Sequence, residues 1–196
     1  MRRSFALLLS ILTVGVACRS REVPPNVSNL MADLQGADAE RRGRASLELI
    51  RMGEPAAPLL AGLLASDDPE LRARAATTLW GMGEKGRAAV PALAAALSDP
   101  DPELRISVAM ALGNMGPAAA EAVPALTNML YDPNRSVKQA AVKALGAIGP
   151  PARSALPVLN RILRRSSWPE AEEAVLKIRG ATGKASEQEP PTSANG

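Results

Sequence analysis

Histidine is absent from this 196-residue chain, cysteine occurs once, at Cys18, and Phe, Trp and Tyr together supply 2% of the residues. Without histidine and with one thiol, the usual zinc and haem ligand sets cannot be assembled within the chain. No Ser, Thr or Cys nucleophile can have a histidine base beside it. The shortage of rings removes the platforms on which flat cofactors and nucleic-acid bases stack. No catalytic residue, metal ligand, cofactor or small-molecule substrate is therefore assigned. Charge of either sign is also in short supply: 23 Lys and Arg face 20 Asp and Glu, a net +3. Arg2 and Arg3 lie in a segment argued below to be removed, which leaves 21 basic against 20 acidic residues. The pI near 9.4 thus reflects a small surplus, and nucleic-acid binding, which needs a clustered basic face, is not expected.

What the chain does have is 46% hydrophobic residues, enough for a core built from Ala, Leu, Val, Ile and Met. It begins MRRSFALLLSILTVGVAC. Two arginines precede an uncharged run from Phe5 to Ala17, too short to span a bilayer comfortably and flanked as a secretory signal peptide is. The run ends in small residues and then Cys18, and so resembles a bacterial lipoprotein signal, in which the Cys is lipidated and becomes the mature N-terminus. Gly15 stands where that pattern favours Leu, and Gly15-Val16-Ala17 also satisfies an ordinary small-x-small cleavage site, which would leave Cys18 unmodified. Lipidation is favoured, because it consumes the one thiol that would otherwise be left free. The expectation is a signal peptide over 1–17, a lipid-attachment cysteine and tether over 18–26, and an exported chain facing the periplasm from the cell membrane or outer membrane. Arg19, in place of an acidic residue, leans toward the outer membrane. The polar segment 180–196 has no apolar period and reads as a disordered tail.

Between them the chain repeats itself. Pro58, Pro91, Pro124 and Pro157 recur every 33 residues, as do Gly83, Gly116 and Gly149, and Leu79, Leu112 and Leu145. A fixed period of this size is the mark of a solenoid. Each unit reads as two helices. The first carries Leu104, Val108, Leu112 and Met115 on one stripe, with equivalents one period away on either side. Asp38, Asp68, Asp101 and Asn134 precede these helices as N-caps. Pro69 and Pro102 follow at the first helical position, and glycines end the helices with positive φ. The second carries Val90, Leu93 and Leu97 and their equivalents, with its proline in the first turn. Val27, Leu30 and Leu34 read as a lone second helix; Ala174 and Ile178 read as a lone first helix. Half a unit, four units and half a unit thus fill residues 27–179.

The shared pattern is Asp101-Pro102 with Arg105, then Ala111-Leu112-Gly113 with Met115-Gly116, then Ala122-Val123-Pro124 with Leu126. It resembles HEAT repeats of the short bacterial kind, including those grouped with phycobilisome lyases. The resemblance implies an all-α fold, an α-solenoid of stacked antiparallel helix pairs whose second helices line a concave face. It also implies a protein-binding scaffold as the usual role.

Three sets of residues are candidates for function. Arg72, Arg105 and Lys138 recur once per unit, either as a basic ladder for an anionic partner or, the preferred reading, as pairs that tie units to neighbouring caps. Opposite the core stripe of the second helices lies a ridge of Leu59, Gly62, Ala92, Ala95, Ala125, Asn128, Val158 and Arg161. This ridge is either inert or a shallow groove for a partner segment. Trp80 stands where other units have Gly113 and Gly146; it either anchors a partner or packs across a neighbouring loop, and Trp168 caps the open end of the core. Asp67, Asp68, Asp99, Asp101 and Glu103 read as helix caps rather than a calcium site. The leading expectation is a non-enzymatic scaffold that binds a protein partner at the cell envelope. The alternatives are a bilin-lyase-like chromophore handler and a nucleic-acid-binding protein.

Overall fold

The computed structural model describes residues 25–180. The expected signal segment, Cys18, almost all of the tether and the tail beyond Gly180 lie outside the described residues. Ten helices follow in order: α1 Pro25–Gln35, α2 Ala39–Met52, α3 Ala57–Leu63, α4 Pro69–Met82, α5 Val90–Ala96, α6 Pro102–Met115, α7 Val123–Met129, α8 Arg135–Ile148, α9 Leu156–Leu163 and α10 Pro169–Arg179. The first helices, α4, α6 and α8, each have 14 residues, and the second helices, α5, α7 and α9, have seven or eight. The fold is an α-solenoid of stacked antiparallel pairs.

Local chemistry sets each boundary. Asp68 and Asp101 accept the backbone N–H of Glu70 and Glu103, both at 2.9 Å, and Asn134 accepts that of Ser136 at 2.8 Å. Each satisfies a donor that the helix start leaves unpaired. At the other end Gly53, Gly83, Gly116 and Gly149 take φ of 68°, 52°, 58° and 71°, where a β-carbon would be strained. The chain then turns through 3-10 segments, Gly83–Ala89, Gly116–Ala122 and Pro150–Ala155, into the second helices. Periodicity alone marks these segments only as loops. The first unit, three residues shorter, makes a plain turn at this point.

One continuous core runs the length of the row. Leu49, Leu79, Leu112 and Leu145 from the first helices meet Leu60, Leu93, Leu126 and Leu159 from the second, all fully buried. Trp168 is half-buried against the last of it, beside α10. Arg41, which opens the row in the slot of Leu104 and Val137, is exposed.

The two sides of the row are unequal. A β-carbon on Gly113 would lie 3.1 Å from the Ala144 Cα, and one on Gly146 3.1 Å from the Ala174 Cα. The first helices therefore pack backbone against backbone, while each second helix packs mainly on the 3-10 segment that leads into the next one. The first helices α4, α6, α8 and α10 form one face of the row, and the second helices, which carry the anticipated ridge, form the other.

Candidate functional site

The recurring cations are settled first. Arg72 donates from Nη1 to the Ser66 carbonyl at 2.9 Å, and its Nε stands 3.0 Å from the Asp99 carboxylate. Arg105 repeats this with the Asp99 carbonyl at 2.7 Å and the Asp132 carboxylate at 3.0 Å. Both acids also accept a backbone N–H, from Asp101 at 2.9 Å and from Asn134 at 2.8 Å. Each rung thus joins a first helix to the loop that opens the next unit. The side chains of Arg105 and Asp132 are 13% and 11% exposed, so these arginines are ties between units. Of the acids in these loops Asp68 and Asp101 are caps and Asp99 and Asp132 are rungs, whereas the carboxyls of Asp67 and Glu103, expected as caps, accept no helix N–H; among the described residues no group of three metal-ligating side chains comes together.

Two carboxylates, the exposed Asp38 and the half-buried Glu170, have acid strength set by their hydrogen bonds. The Arg41 N–H, which donates to Asp38 together with that of Glu40, holds the Asp38 carboxyl below its ordinary range. Glu170 is held low by its own backbone N–H and then by the Gln139 amide, which donates to it at 2.8 Å.

The ridge anticipated on the second helices keeps its register. Leu59, Ala92, Ala125 and Val158 are half-buried, and Gly62, Ala95, Asn128 and Arg161 are exposed one turn further on. They lie on the second-helix face of the row. Between α3 and α5 lies a cleft of about 430 Å³ that includes Ala92 and Ala95. Between α5 and α7 lies another, of about 460 Å³, that includes Ala125 and Asn128.

The first-helix face holds a different cleft, of about 450 Å³, framed by Trp80, Ile106, Met110, Gly113, Gln139 and Lys143. Trp80 is 46% exposed and Met110 51%; Leu47, at the equivalent place on α2, is 59% exposed. The Trp80 ring therefore borders a cleft between first helices instead of covering a loop. Its backbone is fixed by Asn114, whose side-chain amide donates to the Trp80 carbonyl at 2.6 Å. Gly113 and Gly146 occupy the equivalent places on α6 and α8, and the bare Gly113 leaves depth beside the ring. Met110, Ile106 and Leu47 were not singled out from the sequence. Their signal was available: they are apolar at positions where α8 carries Lys143 and Gln139.

A row of stacked helix hairpins with one continuous core and two unlike faces defines an α-solenoid repeat protein. The family model described as HEAT repeats matches residues 56–130 and 90–179, well over half of the chain, and the chain belongs to the HEAT-repeat family. No curated protein matches the sequence. Among solved structures it resembles the complex of CpcE and CpcF of phycocyanin lyase from Nostoc sp. PCC7120, with 20% identity over 78% of this chain and 97% of that one and a TM-score of 0.59. It also resembles an engineered protein of the Northeast Structural Genomics Consortium, with 22% identity over 78% and 77% of the two chains and a TM-score of 0.57. A designed armadillo repeat protein in complex with the peptide (KR)4 matches with 17% identity over 80% and 82% and a TM-score of 0.57. At these identities the likeness is one of fold.

Proposed function

We propose that this chain is a non-enzymatic scaffold that binds a protein partner on the first-helix face of its solenoid. The observation that carries the reading is the exposed apolar pair of Trp80 and Met110 lining the cleft on that face, with Leu47 exposed on α2 of the same face. Apolar side chains gathered at one place on an otherwise polar surface favour a partner, and a central Trp beside flexible Met side chains has the composition of an interface anchor. The repeat units hold this surface without a partner, so little ordering entropy opposes docking. The peptide held by the designed armadillo neighbour is consistent with such a use of the fold. The resemblance of residues 1–18 to a lipoprotein signal supports an address for the proposed scaffold at the bacterial cell envelope, with a lipid on Cys18 as its anchor. Labelling of Cys18 by a palmitate analogue in growing cells, abolished by Cys18→Ser, is the expected result.

The test of the binding face uses two double variants and co-purification from membranes. Trp80→Asp with Met110→Asp is expected to release the partner by at least tenfold while the helical signal stays unchanged. Ala92→Arg with Ala95→Arg, on the second-helix ridge, is expected to keep it. The reverse outcome would return the site to the ridge. The lyase neighbour supports a second reading, chromophore handling, only through its fold. Incubation of the purified protein with bilin is expected to give no shifted absorbance band; a shifted band would favour that reading instead.

A further inference from the structure

The ladder of cations and acids breaks at its last rung, and the break coincides with a change of charge on three neighbouring columns. Arg72 meets Asp99 and Arg105 meets Asp132, in each case 27 residues further on. The same step from Lys138 leads to Arg165. The column that holds Ser66, Asp99 and Asp132 in earlier units thus ends in a cation. Its two neighbours do the same: Gly62, Ala95 and Asn128 are followed by Arg161, and Ala65, Ser98 and Tyr131 by Arg164. Arg161, Arg164 and Arg165 are all exposed, stand three and four residues apart at the end of α9, and so share one face. Among the described residues neither Lys138 nor any of the three forms an ion pair; of the acids of α10, Glu173 pairs with Lys177, Glu170 accepts from Gln139, and Glu172 is exposed and pairs with none of these cations. Tyr131, 60% exposed, stands in the column of Arg164 one unit earlier.

We propose that the end of α9, with Arg161, Arg164 and Arg165, Lys138 at the matching cation position of α8 and Tyr131 one unit away, is a docking site for a short acidic segment of a partner protein, separate from the cleft beside Trp80. Arg and Tyr are the side chains most often found at the energetic centres of interfaces. Arginine forks bind carboxylates in pairs. The shape of the charge selects the class of partner. In the unit just before, the same edge holds Asp132, tied to Arg105, and the exposed Arg135, so the cationic stretch spans two units. Two and three units back the edge is acidic, through Asp101 and Glu103 and then Asp67, Asp68 and Glu70. An extended polyanion lying along that edge, whether an anionic bilayer or a nucleic-acid duplex, meets like charge there. A compact run of carboxylates that ends before it does not.

The probe is a fluorescein-labelled peptide with a run of about six Glu and Asp residues between serines, titrated against the full chain at low and physiological salt. Binding is expected, weakened by salt. Arg161→Glu with Arg165→Glu is expected to weaken it by about tenfold or more, and to let a peptide of the same length with Lys in place of the acids bind. Arg153→Glu, exposed on the 3-10 segment before α9, is expected to leave the acidic peptide bound. Retention of the acidic peptide by the α9 variant, with its melting curve unchanged, overturns the proposal. So does preferential binding to phosphatidylglycerol vesicles or to duplex DNA that the same variant abolishes, or a dimer in sedimentation that the variant dissolves. Loss of the partner with the Trp80 and Met110 variant while the acidic peptide still binds would show two independent surfaces. The acidic-segment site stands or falls without the cleft beside Trp80.

Discussion

Asp132 ties three parts of the molecule together. It accepts the N–H of Asn134, forming the turn that opens α8, and it faces Arg105 from the preceding unit. Removing it leaves an arginine that is mostly buried and has lost its counter-charge, a costlier state than an exposed pair broken at the surface. Asp132→Ala is expected to destabilise the fold by about 2–3 kcal/mol, read from urea unfolding. Asp132→Asn is expected to cost less, because its side-chain oxygen still accepts the Asn134 N–H. A double-mutant cycle with Arg105→Ala isolates the cross-unit part; a coupling near zero would mean that the rung does not tie the units.

Asp38 and Glu170 belong to the same scale and give the acid limb of stability its sign. Both carboxyls are held below their ordinary values in the folded chain. Their charged forms therefore favour the fold above the ordinary carboxylate range, and that contribution disappears as pH falls through the lowered folded values. Helicity followed from neutral to acid pH is expected to decline through and below the ordinary carboxylate range. Asp38→Asn keeps a capping oxygen but removes the titration, so its acid limb is expected to be shallower than that of the parent chain.

At the scale of the element, glycine at positions 113 and 146 decides how near the first helices stand. Gly113→Leu places a branched side chain where the Ala144 backbone leaves about the width of one contact, and a backbone cannot yield as a flexible side chain does. The expected cost is about 2–3 kcal/mol. A glycine lying on an open surface would cost nothing, and the helix would gain propensity instead. Gly62→Ala, on the second-helix face with open space around it, is the control and is expected to be neutral or slightly stabilising.

This contrast shows what was legible in the residues and what was not. Caps, helix-stopping glycines and prolines in the first turn are local chemistry repeated four times, and they define the helices without tertiary information. How near the first helices stand, and the cleft this leaves beside Trp80, rests on distances between backbones in different units, which the spacing of apolar residues does not encode. The Arg-to-Asp step of 27 residues was readable, since Arg72 and Arg105 each find an acid at that distance and Lys138 does not. Its meaning became clear only when the pairs were seen to cross between units.

For the whole molecule, stability is the sum of units and the contacts between neighbours. Leu112 and Leu126 are fully buried, yet no single hairpin can hide both of its apolar sides. Each unit depends on the one before and the one after. If the row is such a sum, it can be lengthened. Inserting a second copy of residues 101–133 directly after the first adds one first helix, one second helix, an Asp cap, an Arg105 and an Asp132. Every rung then repeats one already present: the copied Arg105 meets the copied Asp132, and the original Arg105 meets the original Asp132. The apolar stripe of the copied α6 meets the same kind of neighbour on both sides. The longer chain is expected to fold, to gain helical signal in proportion to the added residues, and to unfold at a higher urea concentration than the parent. The cleft beside Trp80 lies across α4, α6 and α8, so the insertion moves Lys143 and Gln139 one unit away from Trp80 and puts a second Met110 and Ile106 in their place. A partner held by the apolar set should bind the lengthened chain at least as well, whereas one that needs Lys143 beside Trp80 should be lost. A lengthened chain that melts earlier than the parent would mean that the ends of this row, rather than its repeated joints, set its stability.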